Sequence, residues 1–224
     1  MSALVITFPI SHPFVVWTFG DPHFVSVDNN TFTFNGIGEY RLLESPSNEL
    51  KIQSRLEQYG DTRGSVMSAI AIRQGDVQLQ VQAEGRELKL YAQGSLHSLP
   101  NENEVYFVTN NGVNSVLNNG LDVQNIASQD SSIQPTSTNQ VTVQVDDSGT
   151  LVITTPGGAT VMVTLQMSFL RATVVLTDSY INQTRGLMGV FNRDPSDDFT
   201  LPNGTVLRAD LTEPEVYTYG LECK

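Results

Sequence analysis

Val77-Gln78-Leu79-Gln80-Val81-Gln82 places an aliphatic side chain at every odd position and a glutamine at every even one. Successive side chains of a strand point to opposite faces, so this stretch reads as a strand with one buried and one solvated face, as in an antiparallel sheet. The pattern extends in both directions. Residues 50–56 and 69–73 precede it as short apolar-rich segments, and 88–92, 105–109, 113–117 and 121–126 follow, each bounded by Gly, Asn or Pro. Residues 141–145, 151–153, 159–165 and 172–176 continue the series, with Asp146-Asp147-Ser148-Gly149 and Pro156-Gly157-Gly158 as connecting turns. Nearer the start, Phe32 and Phe34 alternate with Thr31, Thr33 and Asn35 behind the turn signal Asp28-Asn29-Asn30, which predicts a hairpin with the strand around Phe24-Val25.

Such regularly spaced short strands predict an all-β fold, a two-sheet β-sandwich of antiparallel strands. Helix is expected at two places only, both toward the C-terminus. Residues 178–186 suit one or two turns with Asp178 as N-cap, and Thr212-Glu213-Pro214-Glu215 combines a cap, an early proline and acidic first-turn residues. The Ser/Thr/Gln-rich run 128–139, with Pro135, reads as a loop rather than a domain boundary. We divide the chain into a lead-in, residues 1–16, and one domain, residues 17–224.

At 224 residues and 39% hydrophobic content the chain can bury a substantial single core. Twelve Lys and Arg stand against 24 Asp and Glu, a formal charge of -12, so nucleic acid and anionic membrane surfaces are repelled while cations and basic partners are favoured. The single cysteine, Cys223, excludes an internal disulfide framework. Three sequons, at Asn29, Asn182 and Asn203, mark candidate N-glycosylation sites. No apolar run reaches the length of a membrane span, and Met1-Ser2-Ala3-Leu4-Val5 lacks the basic residues that open a signal peptide, so the chain reads as a fragment of a longer protein.

Two stretches carry chemistry. In Phe191-Asn192-Arg193-Asp194-Pro195-Ser196-Asp197-Asp198-Phe199, oxygen-bearing side chains at Asn192, Asp194, Ser196, Asp197 and Asp198 could converge on one hard cation, and Ca2+ accepts six to eight such oxygens at loose geometry. The loop is not an EF-hand, and on the residues alone a calcium site and an exposed acidic turn stand equally open. Gly20-Asp21-Pro22-His23 contains an acid-labile bond: the Asp21 carboxyl can attack its own main-chain carbonyl, the tertiary amide nitrogen of Pro22 leaves once protonated, and His23 can supply the proton; taken alone, the tetrapeptide reads first as a common turn. No nucleophile elbow, phosphate loop or zinc signature is present.

Taken in order, Trp17-Thr18-Phe19-Gly20-Asp21-Pro22-His23-Phe24, Phe32-Thr33-Phe34-Asn35-Gly36-Ile37-Gly38-Glu39-Tyr40, Gly186-Leu187-Met188-Gly189-Val190-Phe191-Asn192, Asp194-Pro195-Ser196-Asp197-Asp198-Phe199 and Pro202-Asn203-Gly204 resemble a von Willebrand factor type D domain. The chain most resembles the cysteine-poor branch found in membrane mucins with NIDO and AMOP modules and in sushi-domain-containing surface proteins. The resemblance implies a two-sheet β domain with Ca2+ bound by the acidic loop and Asp21 close to it, Asp21 thus joining the candidate ligands. It also implies scission of Asp21-Pro22 without a protease, leaving associated fragments. Gel-forming members have Cys-Gly where this chain has Met188-Gly189, which argues against disulfide-linked multimers.

These readings predict an extracellular structural and interaction module of a mucin-like or adhesive mosaic protein. It is expected to be calcium-stabilised and glycosylated, to be partnered by other domains of its parent chain or other extracellular proteins, and to turn over no external substrate. The competing expectation, from the charge of -12, is an acidic calcium-binding matrix protein without self-cleavage.

Overall fold

A computed structural model of the protein describes residues 14–16, 22–117 and 140–224; for 14–16 only the backbone is described. The predicted sandwich is present. One sheet contains β1 (Phe14–Val16), β10 (Glu104–Thr109), β11 (Gly112–Leu117), β12 (Val141–Val145), β13 (Leu151–Thr154), β14 (Thr160–Gln166) and β15 (Phe169–Val175). Its seven strands run antiparallel in the order β1-β15-β14-β13-β12-β10-β11. The other contains β4 (Gly38–Ser45), β5 (Leu50–Gln58), β6 (Ser65–Gln74), β7 (Val77–Glu84), β8 (Glu87–Ala92) and β9 (Ser95–His97) as a six-stranded meander in sequence order. A short hairpin, β2 (His23–Val25) and β3 (Thr31–Thr33), stands apart from both.

The alternation that predicted β7 is realised: Val77, Leu79 and Val81 are buried while Gln78 is exposed and Gln80 and Gln82 are half-buried on the opposite face. Strand β15 packs across β6 and β7, so Leu170, Ala172 and Val174 of one sheet share a single core with Ile70, Ile72, Leu79 and Val81 of the other. Full burial of each such aliphatic side chain contributes on the order of 1.5–3 kcal/mol, and this core is what holds the layers together.

The expected helix at 178–186 is instead one 3-10 turn, Asp178–Tyr180, with Thr177 rather than Asp178 at the N-cap. The backbone ends it quickly, since Asn182 takes φ 59 and Gly186 φ 120, both incompatible with a right-handed helix. At the second place the signal is fulfilled by α1 (Glu213–Leu221), whose Thr212 and Glu215 form a capping box with Pro214 in the first turn. Residues 121–126 and 128–139, read as strand and loop, lie outside the described residues, as does Trp17.

The outer edge of β4 does not face solvent unprotected. Arg185 exchanges backbone hydrogen bonds with Glu44 (2.8 and 2.9 Å), Leu187 N–H donates to Arg41 O (2.9 Å), Met188 N–H donates to Leu42 O (2.8 Å), and Arg41 N–H donates to Cys223 O (2.7 Å). A bulge between Arg41 and Leu43 turns Leu42 and Leu43 both inward. Gly186 is required here, because a Cβ on it would lie 2.8 Å from the Leu42 carbonyl oxygen. The Gly186-Leu187-Met188-Gly189 run is thus an edge cover for the six-stranded sheet, and it fixes where the acidic loop begins.

Candidate metal centre

Three segments distant in sequence meet at the acidic loop. The cover passes its position to the hairpin through Val27 N–H, which donates to Met188 O (2.8 Å). An aromatic chain does the rest: Phe24 stacks on Phe32, Phe32 meets Phe199 edge-on at 5.3 Å between ring centres, and Phe199 meets Tyr219 of α1 at 5.2 Å. The Tyr219 hydroxyl donates to Gly186 O (2.7 Å) and lies 3.2 Å from Asp198 O, pinning both ends of the loop to the helix.

Within this frame Asp198 is buried, 1% exposed. Its Oδ2 accepts from Ser26 Oγ at 2.5 Å and from Asn30 Nδ2 at 3.1 Å, while Asn30 Nδ2 also donates to Pro195 O at 2.5 Å. Asp28 Oδ2 accepts from the backbone N–H of Asn192 (2.9 Å) and of Asp194 (3.1 Å). Asn192 Nδ2 donates to Asp197 Oδ2 (2.7 Å). The hairpin turn, which the sequence marks only as a turn, therefore supplies Ser26, Asp28 and Asn30 as the second wall of the site. The available signal was their spacing: polar groups alternate with buried Val27 directly after the β2 strand.

The predicted oxygen-bearing residues divide by direction. Asp197 and Asp198 turn inward, and Asn192 is half-buried against Asp197. Asp194 and Ser196 are exposed, with Asp194 Oδ1 accepting from Ser196 N–H (3.0 Å) to shape a 3-10 turn, Pro195–Asp197. Hydrogen bonding from Ser196, its side chain first and then its backbone N–H, holds the Asp194 carboxyl below its ordinary pKa. Asp21 lies outside the described residues. Pro22 O accepts from Phe34 N–H (3.1 Å), and exposed His23 shares a hydrogen bond between its Nδ1 and Thr33 Oγ1 (2.8 Å). The sequon asparagines Asn29, Asn182 and Asn203 are all exposed.

Two observations bear on a cation. Asp197 Oδ1 and Asp198 Oδ1 are buried without a hydrogen-bond partner among the described residues, a costly state for a carboxylate oxygen in the absence of a positive charge. Space is reserved beside the second of them: a Cβ on Gly189 would lie 2.3 Å from Asp198 Oδ1. Burial, first, and then the neighbouring carboxylates of Asp28 and Asp197 push the Asp198 pKa up to about 7, against the opposing hydrogen bonds from Ser26 and Asn30. The residues present fit a hard cation in kind, though among the described residues no three Asp, Glu, His or Cys side chains make a ligand set by themselves. Amide and main-chain oxygens, which calcium accepts, would have to complete it.

The profile of the von Willebrand factor type D domain matches residues 17–205. The chain belongs to the von Willebrand factor type D family. It is 30% identical over 214 residues to human Sushi domain-containing protein 2, covering 93% of this chain and 22% of that protein. To mouse Mucin-4 it is 27% identical over 211 residues, covering 93% of the chain and 6% of the relative. Protein mesh of Bombyx mori is 30% identical over 206 residues, 89% of the chain and 12% of the relative. The chain thus spans about a fifth or less of the length of these relatives. Within the type D domain, the matched region encloses the edge cover, the hairpin and the acidic loop together.

Proposed function

We propose that the type D domain is an extracellular structural and interaction module of a mucin-like or adhesive mosaic protein, clamped by one Ca2+ at the acidic loop. The observation that carries the metal reading is the pair of buried, unpartnered oxygens, Asp197 Oδ1 and Asp198 Oδ1. Asp197 and Asp198 would hold the ion with Asn192, the Asp28 carboxylate lying close by, and Asp21 of the resemblance would add to them. A bound Ca2+ would supply positive charge that offsets the repulsion among these carboxylates and so ties hairpin to loop. The domain's relatives, a sushi-domain protein, mucins and mesh, support the modular and extracellular reading, and its partners would be neighbouring domains or other extracellular proteins.

In the same proposal Asp21-Pro22 is self-cleaving, with no turnover of an external substrate. The Asp21 carboxyl oxygen bonds to its own main-chain carbonyl carbon, and the C–N bond breaks as Pro22 nitrogen takes a proton. Water then opens the cyclic anhydride to leave two carboxyls on Asp21 and a free amine on Pro22. The backbone bond from Phe34 to Pro22 O and the Thr33–His23 hydrogen bond support this by holding the downstream side of that peptide in a defined pose.

Chelation of the purified chain is expected to lower its melting temperature, and Asp198→Ala to abolish the calcium response. No shift on chelation overturns the clamp. Titration separates the module from an acidic matrix protein: one tight site supports the first, many weak equivalents the second. For cleavage, incubation at mildly acidic pH is expected to give a fragment beginning at Pro22, absent in Asp21→Ala; a chain that stays intact overturns self-cleavage.

A further inference from the structure

The solvent face of the six-stranded sheet carries a trough unlike the rest of this acidic surface. Its rows follow from register: Lys51, Arg73 and Gln78 are consecutive partners across β5, β6 and β7, and Gln53, Ala71, Gln80 and Tyr91 form the next row across β5 to β8. Arg55, Ala69, Gln82 and Lys89 form a third. Alanine on the central strand between long side chains on both flanks makes a floor with raised walls. The hollow over it measures about 530 Å³, and a smaller one of about 130 Å³ adjoins it, sharing Gln53, Ala71 and Gln80.

Charge sets this hollow apart. The chain has 24 Asp and Glu against 12 Lys and Arg, yet among the described residues no carboxylate lines the larger hollow, and two cations do. Arg55 is paired with Glu39 (2.8 Å) and Lys89 with Glu87 (2.6 Å). Lys51 and Arg73 form no ion pair among the described residues; Arg73 Nε donates only to Gly75 O at 3.0 Å. Lys51 and Arg73 also line a second hollow, with Glu44, Glu49 and Asp76 on its far side, so an acidic group would seat from the Gln78 side, away from those three carboxylates.

We propose that this trough binds an oligosaccharide bearing a carboxylate or sulfate. Side-chain amides donate and accept at once, which matches sugar hydroxyls that do the same, and the trough presents four of them, Gln53, Gln78, Gln80 and Gln82, with Gln80 Nε2 donating to Gln82 Oε1 at 3.1 Å. Tyr91 adds one aromatic ring, and the Lys51–Arg73 corner answers the acidic group. A peptide would need apolar pockets for anchoring side chains, which an alanine floor flanked by amides does not provide. A nucleic-acid strand is disfavoured because only two cations, Lys51 and Arg73, line the hollow to answer its run of phosphates, whereas a single acidic group on a saccharide needs no more.

The test is titration of the 224-residue chain with sialyllactose, a sulfated heparin-derived tetrasaccharide and neutral lactose, followed by NMR shifts or calorimetry. At least one acidic saccharide is expected to bind saturably, about tenfold or more tighter than lactose, and which one does so identifies the acidic group. Lys51→Ala with Arg73→Ala is expected to weaken binding at least about tenfold while leaving the melting temperature unchanged, and Tyr91→Ala to weaken it independently. Lack of saturation by both acidic sugars at about 10 mM, equal binding of lactose, or an unaffected double variant overturns the proposal, as does tighter binding of a poly-glutamate peptide.

Discussion

Gly189→Ala isolates how much the acidic site depends on one missing methyl group. Gly189 has φ 89, and the added Cβ would stand 2.3 Å from Asp198 Oδ1, 2.8 Å from its Cγ and 2.9 Å from its Cβ. Rotating the carboxylate cannot relieve this, since the Asp198 Cβ itself is too near, so the whole side chain must withdraw. It is 1% exposed and held by Ser26 Oγ at 2.5 Å, a hydrogen bond worth about 1.5–3 kcal/mol at pH 8, where the carboxylate, with a pKa of about 7, is charged. Adding about 1–2 kcal/mol for an alanine at positive φ gives a total of about 2.5–5 kcal/mol.

Gly204→Ala is the matched control. Its φ of 83 carries the same backbone strain, but a Cβ there would meet nothing within 4 Å. For a chain of this size each kcal/mol shifts the melting temperature by about 2–4 °C, so Gly189→Ala is expected to lose roughly 5–20 °C and Gly204→Ala roughly 2–8 °C. Thermal unfolding followed by circular dichroism, with chelator present so that metal does not enter the comparison, measures both. Equal losses in the two variants would refute the steric account of the Gly186-Leu187-Met188-Gly189 run.

Two further outcomes follow from buried ionisable groups. Asp198, with a folded pKa of about 7 against an ordinary 3.8, holds its proton more tightly when folded, so its contribution to stability is full below pH 3.8 and is lost as pH rises toward 7. In chelator, stability is expected to fall by about 3 kcal/mol between pH 5 and pH 8, and Asp198→Asn to remove that part of the slope; an unchanged slope in the variant refutes the assignment. Cys223 is 4% exposed and burial pushes its thiol up to about 11, so it is expected to resist thiol reagents at pH 8 in the folded chain and to react on denaturation, and prompt labelling of native protein would show the burial to be wrong.

The strands were legible because their cause is local. One sheet face is apolar and the other wet, so Val77, Leu79 and Val81 declare themselves at period two, and the capping box at Thr212 and Glu215 declares α1 within four residues. The bulge at Leu42 and Leu43 has no such marker, because two adjacent leucines fit either a bulge or a strand buried on both faces. Nor does the sequence announce that residues 185–188 will complete the edge of β4, since a sheet edge is a property of the assembled sheet.

The site divides along the same line. Its acidic half is contiguous, and clustered oxygens can be read directly, but their directions cannot: Asp194 and Asp198 look alike in sequence, and the turn Pro195–Asp197 sends one outward and the other to the interior. The other half is separated by well over a hundred residues, and only tertiary packing brings Ser26 to Asp198. Ser26 and Asn30 have an ordinary local explanation too, because Asn30 N–H donates to Ser26 Oγ at 2.8 Å and closes the hairpin turn. A residue with a sufficient local role gives no sequence signal of its distant one. What exposes the second role is the carboxylate: a buried charge must be answered from somewhere, and following the hydrogen bonds of Asp198 outward leads to the hairpin that lies directly downstream of Pro22. If the clamp holds calcium, the same two hydrogen bonds connect metal occupancy to the pose of the strand after the labile bond, so chelation should change the rate of cleavage as well as the melting temperature.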